Sequence, residues 1–458
     1  MTTALVPAPE PTAPVVDEIA GAARLAGALV DTLTAPIQET HRGLAGRVFG
    51  VLGPVGAPVR IVHDAVAGVA YGAVRGGGRL AGAAAGAALA LPARGRDRRP
   101  ISAHPLGAQA LAFGSGLLGD WMDGRTDDLV VRWACTQHGR PLPADPAALV
   151  AALDVPTDRL VVLVHGLAET TAAWGWWSED DAGEHVATYA ERLCDVGWTP
   201  LEVGYNTGLP VARSGAELAD LVGDLVAAWP VPVREVALVG HSMGGLVAAS
   251  ACHNGLAGDA PWTGLVSHVV SLGTPHAGSW LARGAHTLST AAARRPETRG
   301  VATFLDLRSP GIRDLTRGWR PTALDPTTGP GTADAGPAEA AEAADTDAPN
   351  VADVEAVADA ARAEAETAAE AEIVTLAALL PQAQHAFVAA SLGTRRRHPL
   401  TWLVGDGLVH PRSATAPARA ARSAPNVVTR HHPGVGHLRL VHHPAVADDL
   451  VEWLTPRR

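Results

Sequence analysis

The stretch Arg234-Glu-Val-Ala-Leu-Val-Gly-His-Ser-Met-Gly-Gly-Leu246 constrains the fold more than any other part of the chain. Val236 to Val239 is an apolar run of strand length. Gly240-His241-Ser242-Met243-Gly244 breaks it, and a helical pattern runs from Gly245 through Cys252. Strand, G-x-S-x-G and helix in that order describe a turn so tight that the serine backbone is strained. The glycines leave room for the neighbouring strand and helix. The serine hydroxyl then projects at the helix N-terminus, where main-chain N–H groups favour a developing negative charge. G-x-S-x-G alone is a weak signal in a chain with 49 glycines; the strand before it and the helix after it give this one its weight.

The surrounding pattern agrees. Arg159 to Val164 is a continuous apolar strand of the kind that a parallel sheet buries on both faces. After it come a helix from about Gly183 to Val196, a strand from Thr199 to Tyr205, a helix from Ala212 to Trp229 and the strand that enters the turn. A further strand spans Val266 to Leu272. Leu129 to Ala134 reads as a first strand, with a short helix near Pro146 to Leu153. This rhythm predicts an α/β fold with a doubly wound, mostly parallel sheet, in which active sites lie at the carboxyl ends of the strands. It stops after residue 280. Residues 281–397 read as a lid or insert holding a Pro/Gly/Thr linker (Pro321 to Gly336) and an acidic Ala/Glu-rich stretch, with a helix from Asn350 to Leu380. The sheet is expected to resume at Leu400 to Val404 and to end at Asn426 to Thr429, before a last helix from Pro444 to Leu454. The core therefore covers 100–280 and 398–456.

The net charge of −11 belongs to one segment. Ala333 to Glu372 holds twelve acidic residues against Arg362 alone, and the rest of the chain balances to zero. That argues against a general nucleic-acid binder. Cys135, Cys194 and Cys252 are far apart and odd in number, as expected of reduced thiols rather than a disulfide framework. Met1 to Pro14 lacks a basic patch followed by an apolar run, so no secretory signal is read there and the expected location is cytoplasmic. Residues 1–15 read as a disordered tail and 16–95 as a helical region rich in small residues. Two glycine ladders, Gly68, Gly72, Gly76 and Gly78, Gly82, Gly86, each mark one helix face that another helix can approach closely. The charge-free run Leu80 to Pro92 is short of the ~20 residues that span a bilayer. Two readings of residues 16–91 stay open: peripheral membrane contact, or packing on the protein itself.

Serine at neutral pH is a poor nucleophile and needs a base, and the base needs an acid to hold its tautomer. In a sheet of this kind the acid follows a late strand and the histidine precedes the last helix, both downstream of the serine. Asp406 lies between two glycines in Gly405-Asp406-Gly407, and His437 in the loop Gly434-Val-Gly-His437. His431 and His432 fall close to the last strand, and His442 and His443 lead into the last helix. No carboxylate or cysteine stands at ligand spacing from either pair, so no metal is implied. An oxyanion needs donors, expected from the N–H of Met243 and from the loop after an earlier strand, where Val164-His165-Gly166-Leu167 offers the Leu167 N–H. Trp174, Trp176 and Trp177 follow on that loop. They are read either as core or as an apolar wall for an acyl chain.

Four blocks carry a family resemblance: Leu163-Val-His-Gly-Leu167, Gly240-His-Ser-Met-Gly-Gly245, Ser271-Leu-Gly-Thr-Pro-His-Ala-Gly-Ser279, and Gly405-Asp-Gly-Leu-Val409 with Gly436-His437. The chain resembles the α/β-hydrolase superfamily, and within it bacterial lipases and PGAP1-like serine esterases, over roughly residues 128–456 apart from the insert. The resemblance implies a nucleophile elbow at Ser242, a catalytic triad of Ser242, Asp406 and His437, and no cofactor. It further implies hydrolysis of carboxylic esters, of acyl or lipid type, in lipid metabolism. An insert of alanine and acid differs from a bulky apolar lid, and that departure tells against interfacial lipase action. Acyl transfer or amide hydrolysis on the same triad, and a non-catalytic membrane or granule adaptor docking through residues 16–91, stand as alternatives. The oligomeric state is not legible in the sequence.

Overall fold

The computed structural model describes scattered residues of 21–50, then 53–93, 102, 104–123, 129, 131–176, 178, 184–279, 309–318, 379–395, 405–421 and 424–455. The acidic stretch 333–372 and the expected strand Leu400 to Val404 lie outside the described residues. The helices are α1 (Ala57–Ala93), α2 (Pro105–Met122), α3 (Pro146–Ala151), α4 (Tyr189–Asp195), α5 (Val211–Ala228), α6 (Met243–Ala257), α7 (Pro310–Arg317), α8 (Pro411–Ala414), α9 (Ala416–Ala420) and α10 (Pro444–Leu454). The strands are β1 (Ala134–Gln137), β2 (Arg140–Pro141), β3 (Arg159–Val164), β4 (Thr199–Gly204), β5 (Glu235–His241), β6 (Val266–Leu272), β7 (Gln384–Ser391) and β8 (Val427–Pro433).

The strands form one eight-stranded sheet in the order β2-β1-β4-β3-β5-β6-β7-β8. β1 pairs antiparallel with β2 and β4, and every pairing from β4 to β8 is parallel. The apolar runs explain why both faces are covered. Alternate side chains of a strand point to opposite faces, so Leu160, Val162 and Val164 enter one core with residues of α5 and α6. Val161 and Leu163 enter the other with residues of α4 and α10. Val236 and Leu238 divide from Ala237 and Val239 in the same way. Each fully buried Val or Leu contributes about 1.5–3 kcal/mol, which makes the two central strands the firmest part of the sheet.

Several elements fall elsewhere than expected. The first strand is Ala134–Gln137, not Leu129 to Ala134, because it is Ala134, Cys135 and Thr136 that find backbone partners on β4; Leu129 is buried as a side chain instead. The helix expected from Gly183 begins at Tyr189, where Thr188 and Glu191 form a capping box that fixes its start. β7 lies inside the stretch read as lid or insert 281–397, so the second segment of the core starts well before residue 398. The sequence Gln384-His-Ala-Phe-Val-Ala-Ala-Ser391 is alanine-rich and reads only as part of that insert. As a strand its small side chains let both layers close over it, and Gln384 alone of its residues is not buried. The last strand extends from Val427 to Pro433, so His431 and His432 lie within it.

Outside the sheet, α1 runs beside Val30, Gln38 and His41. Val30 meets the Gly78 position, Arg75 Nη1 donates to Gln38 Oε1 at 3.3 Å, and the His41 and His63 rings are 3.2 Å apart at their Nε2 atoms. Among the described residues nothing packs at Gly68, Gly72 or Gly76, so none of them supplies a helix to the first glycine ladder. Among the described residues no helix is long and apolar enough to cross a membrane.

Candidate active site

Ser242 caps the N-terminus of α6 with φ 51° and ψ −121°, a backbone region that L-residues avoid at a cost of order 1–3 kcal/mol. The surroundings over-determine it. The Ser242 N–H donates to the Leu272 carbonyl at 2.8 Å, and a side chain at Gly244 would strike the carbonyls of Val164 and His165. The turn is thereby wedged between β3 and β6, with the hydroxyl at the carboxyl end of the sheet.

Two later loops meet it there. β7 and β8 both end beside the turn, and the loops after them supply Asp406 and His437. Asp406 Oδ1 accepts the N–H groups of Leu408 and Val409 at 3.0 and 2.8 Å, which fixes the carboxylate and leaves Oδ2 for His437 Nδ1 at 2.8 Å. The His437 N–H also donates to the Asp406 carbonyl at 2.9 Å, so backbone and ring are held by one residue. His437 Nε2 lies 2.9 Å from Ser242 Oγ. Ser242, Asp406 and His437, separated by up to 195 positions, form one hydrogen-bonded chain in which Asp406 and His437 are 3% and 5% exposed. Behind His437, the Tyr189 hydroxyl donates to the Leu440 carbonyl at 2.9 Å and accepts from the His443 N–H at 2.9 Å, tying the histidine loop to α4.

The Leu-Gly-Thr-Pro-His block acquires a local reason. Gly273 has φ +61°, and a side chain there would meet Leu440 Cδ1 at 2.6 Å and the His437 ring at 3.3 Å. Glycine at this position makes room for the histidine. His276 is buried against the Phe387 ring, and burial pushes its imidazole down to about 3; it sits in the site wall as a neutral ring.

The loop after β3 shows how donors are left open. The Gly166 N–H donates to Glu169 Oε2 at 2.7 Å, and the Ala168 N–H to Thr207 Oγ1 at 3.1 Å. Between them the Leu167 N–H has no acceptor among the described residues, and the same holds for the Met243 N–H at the first turn of α6. Ala168 has φ 58°, which turns the loop at this point. α2 braces it from outside: Gln109 Nε2 donates to the Ala168 carbonyl at 2.8 Å, and Leu167 and Ala168 pack at Gly116.

One sequence comparison bears on the region around the elbow. The model of the PGAP1-like alpha/beta domain matches residues 220–293, from within α5 through the elbow and β6 to beyond the Thr-Pro-His block. With the mostly parallel sheet, that match gives the chain an α/β-hydrolase fold. No curated protein matches this chain. Among solved structures it is similar to a mature Bacillus licheniformis lipase, at 15% identity and TM-score 0.38, covering 71% of this chain and 98% of that one. It is similar also to a Pyrococcus furiosus esterase, at 15% identity and TM-score 0.36, covering 71% and 90%. A third likeness is to the RedJ thioesterase of Streptomyces coelicolor, at 19% identity and TM-score 0.32, covering 66% and 89%.

The tryptophans divide. Trp174 is 2% exposed and packs with Val161, Leu163 and Tyr189, so it fills the core and is not available as a wall for substrate. Trp176 is partly buried against the same cluster, and Trp177 lies outside the described residues. Of the other histidines, His432 Nε2 pairs with Asp449 Oδ2 at 2.9 Å. Sequence reasoning passed over Glu169 and His241, although both sit inside or beside conspicuous blocks. They are buried, at 5% and 0% exposure, and face each other at 3.0 Å. The readable signal was an acid three residues after Gly166 and an ionisable residue directly before the serine.

Proposed function

We propose that this protein is a serine hydrolase that cleaves carboxylic esters, of acyl or lipid type, through an acyl-enzyme on Ser242. The observation that carries the reading is the chain from Asp406 Oδ2 through His437 to Ser242 Oγ, with links of 2.8 and 2.9 Å. His437 Nε2 takes the proton as Ser242 Oγ attacks the carbonyl carbon, and Asp406 keeps Nδ1 protonated and supports the imidazolium. The carbonyl oxygen, gaining charge, turns toward the open N–H groups of Leu167 and Met243, each worth about a hundredfold or more in rate where such a donor acts. Collapse expels the alcohol, which receives the proton from His437. Water, deprotonated by the same imidazole, then releases the acid and restores Ser242. These steps use protein groups and water only.

The test is turnover of short p-nitrophenyl esters together with fluorophosphonate labelling. Ser242→Ala is expected to lower kcat by a factor of about a million and to abolish labelling. Wild-type turnover in that variant sinks the reading.

A further inference from the structure

The site contains a buried acid–base pair that the hydrolytic steps do not use. Glu169 Oε2 accepts the Gly166 N–H at 2.7 Å and faces His241 Nδ1 at 3.0 Å. On the other side of the ring, His241 Nε2 meets the backbone carbonyl of His437 at 3.2 Å. With Glu169 ionised, neither its carboxylate nor the His437 carbonyl can donate, so both contacts require a hydrogen on the imidazole, one on each nitrogen. The ring that satisfies both is the imidazolium, and Glu169 is its counter-ion.

We propose that Glu169 and His241 act as positioning residues, a buried ion pair that ties the Gly166–Leu167 oxyanion loop to the backbone of His437. The inference rests on the hydrolase reading. Through this pair the groups meant to meet the carbonyl oxygen and the base meant to move the proton share one rigid support. The support reaches the oxyanion loop through the Gly166 N–H, one residue before the open donor of Leu167, and it reaches the base through His437's own carbonyl. His241 precedes the nucleophile directly, and its ring centroid lies 4.9 Å from that of His437. Three loops, after β3, β5 and β8, are thereby registered to one another by two side chains.

The ionisation of the pair agrees with this geometry. Burial would lower the His241 imidazole, but the Glu169 carboxylate and the His437 carbonyl hold it above the ordinary histidine value. Burial would raise the Glu169 carboxyl, yet His241 and the Gly166 N–H keep it below the ordinary glutamate value. The other titratable groups around His241 are His165 on the β3 loop, Ser242 beside it, Asp406 on the loop after β7 and His437. Burial lowers His165, which leaves it neutral. The signs then set a window. A depressed Glu169 contributes above the ordinary carboxylate range and loses its contribution as pH falls through its folded value. A raised His241 contributes below the ordinary histidine value and loses its contribution as pH rises through its folded value. The pair is complete between the ordinary carboxylate range and the ordinary histidine value, and it is lost as pH falls through the folded value of Glu169 or rises through that of His241.

Nitrogen-15 spectroscopy of histidine-labelled full-length protein tests the pair without relying on activity. One imidazole, assigned as the signal lost in His241→Gln, is expected to keep both ring nitrogens protonated above the pH at which a free imidazole titrates. In Glu169→Gln it should titrate as an ordinary ring. A His241 that is neutral in the wild-type protein at pH 7 overturns the proposal. The kinetic arm uses kcat per folded molecule, with folding checked by near-UV circular dichroism. His241→Gln and Glu169→Gln are expected to lower kcat about 10- to 100-fold, the scale of a misplacement of about an ångström, with KM within about threefold. Unchanged kcat in either folded variant overturns the proposal, whereas Ser242→Ala reports separately on the hydrolase reading. If a variant does not fold, the wild-type titration still decides.

Discussion

The crevice at the carboxyl ends of the strands and the long helix α1 are opposite ways of using a chain. In the crevice, Ser242, Asp406 and His437 are each 9% exposed or less, and the polar atoms that matter point at one another. On α1, Val59, Val62, Val66 and Val69 are each more than 60% exposed, and the glycines at 68, 72 and 76 meet none of the described residues. Both regions are rich in glycine. In one, glycine is needed where a backbone or ring presses against it, as Gly244 meets β3 carbonyls and Gly273 meets His437. In the other, the spacing of Gly68, Gly72 and Gly76 repeats with no neighbour among the described residues. A motif becomes machinery when burial forces its groups to satisfy one another, since an unpaired buried polar atom costs about 1–3 kcal/mol, whereas an exposed one is satisfied by water.

Three further experiments bear on that contrast. The largest effect is expected at Asp406. Asp406→Asn keeps its shape but offers His437 the wrong hydrogen-bond partner, and kcat on a short ester should fall about ten-thousandfold with little change in melting temperature; a loss below tenfold would break the view that this buried acid orients the base. Next, Trp174→Ala should destabilise the fold by about 3–5 kcal/mol, as truncation of a core aromatic does. KM for short and long acyl chains should stay together in denaturant-free buffer. A selective rise for long chains would return Trp174 to the substrate wall. The smallest effect is expected on α1. Val62→Asp and Val66→Asp should each change stability by no more than about 0.5 kcal/mol. If residues 16–91 act as a peripheral membrane contact, the same two changes abolish partitioning onto phospholipid vesicles, and unchanged partitioning removes that reading.

Much of the sheet was legible because its strands announce themselves. Arg159 to Val164 and Glu235 to Val239 are apolar on both faces, and only a covered parallel sheet accommodates that. The elbow was legible because its strain demands glycine at particular offsets. The strand Gln384 to Ser391 was hidden inside the long insert. It lies between β6 and β8, where its small side chains let the layers close. Trp174 misled in another way: position on a site loop says nothing about which way a ring turns, and here it turns into the core. Glu169 and His241 stood in or beside conspicuous blocks, yet nothing local says that an acid at one and an imidazole at the other share a proton.

The linear chain by itself determined the turn that strains Ser242, the alternation that builds the sheet, and the order in which a nucleophile, an acid and a base appear. These depend on neighbours a few residues apart, where sterics and side-chain periodicity act. Only the tertiary structure decided that Asp406 and His437 meet at 2.8 Å, that Gly273 clears space for the histidine ring, and that the Leu167 N–H stays open while those on either side are engaged. The reason is physical. Hydrogen bonds between residues up to 195 positions apart form only after the two cores have closed over the sheet. Their geometry is a consequence of packing that no local stretch encodes.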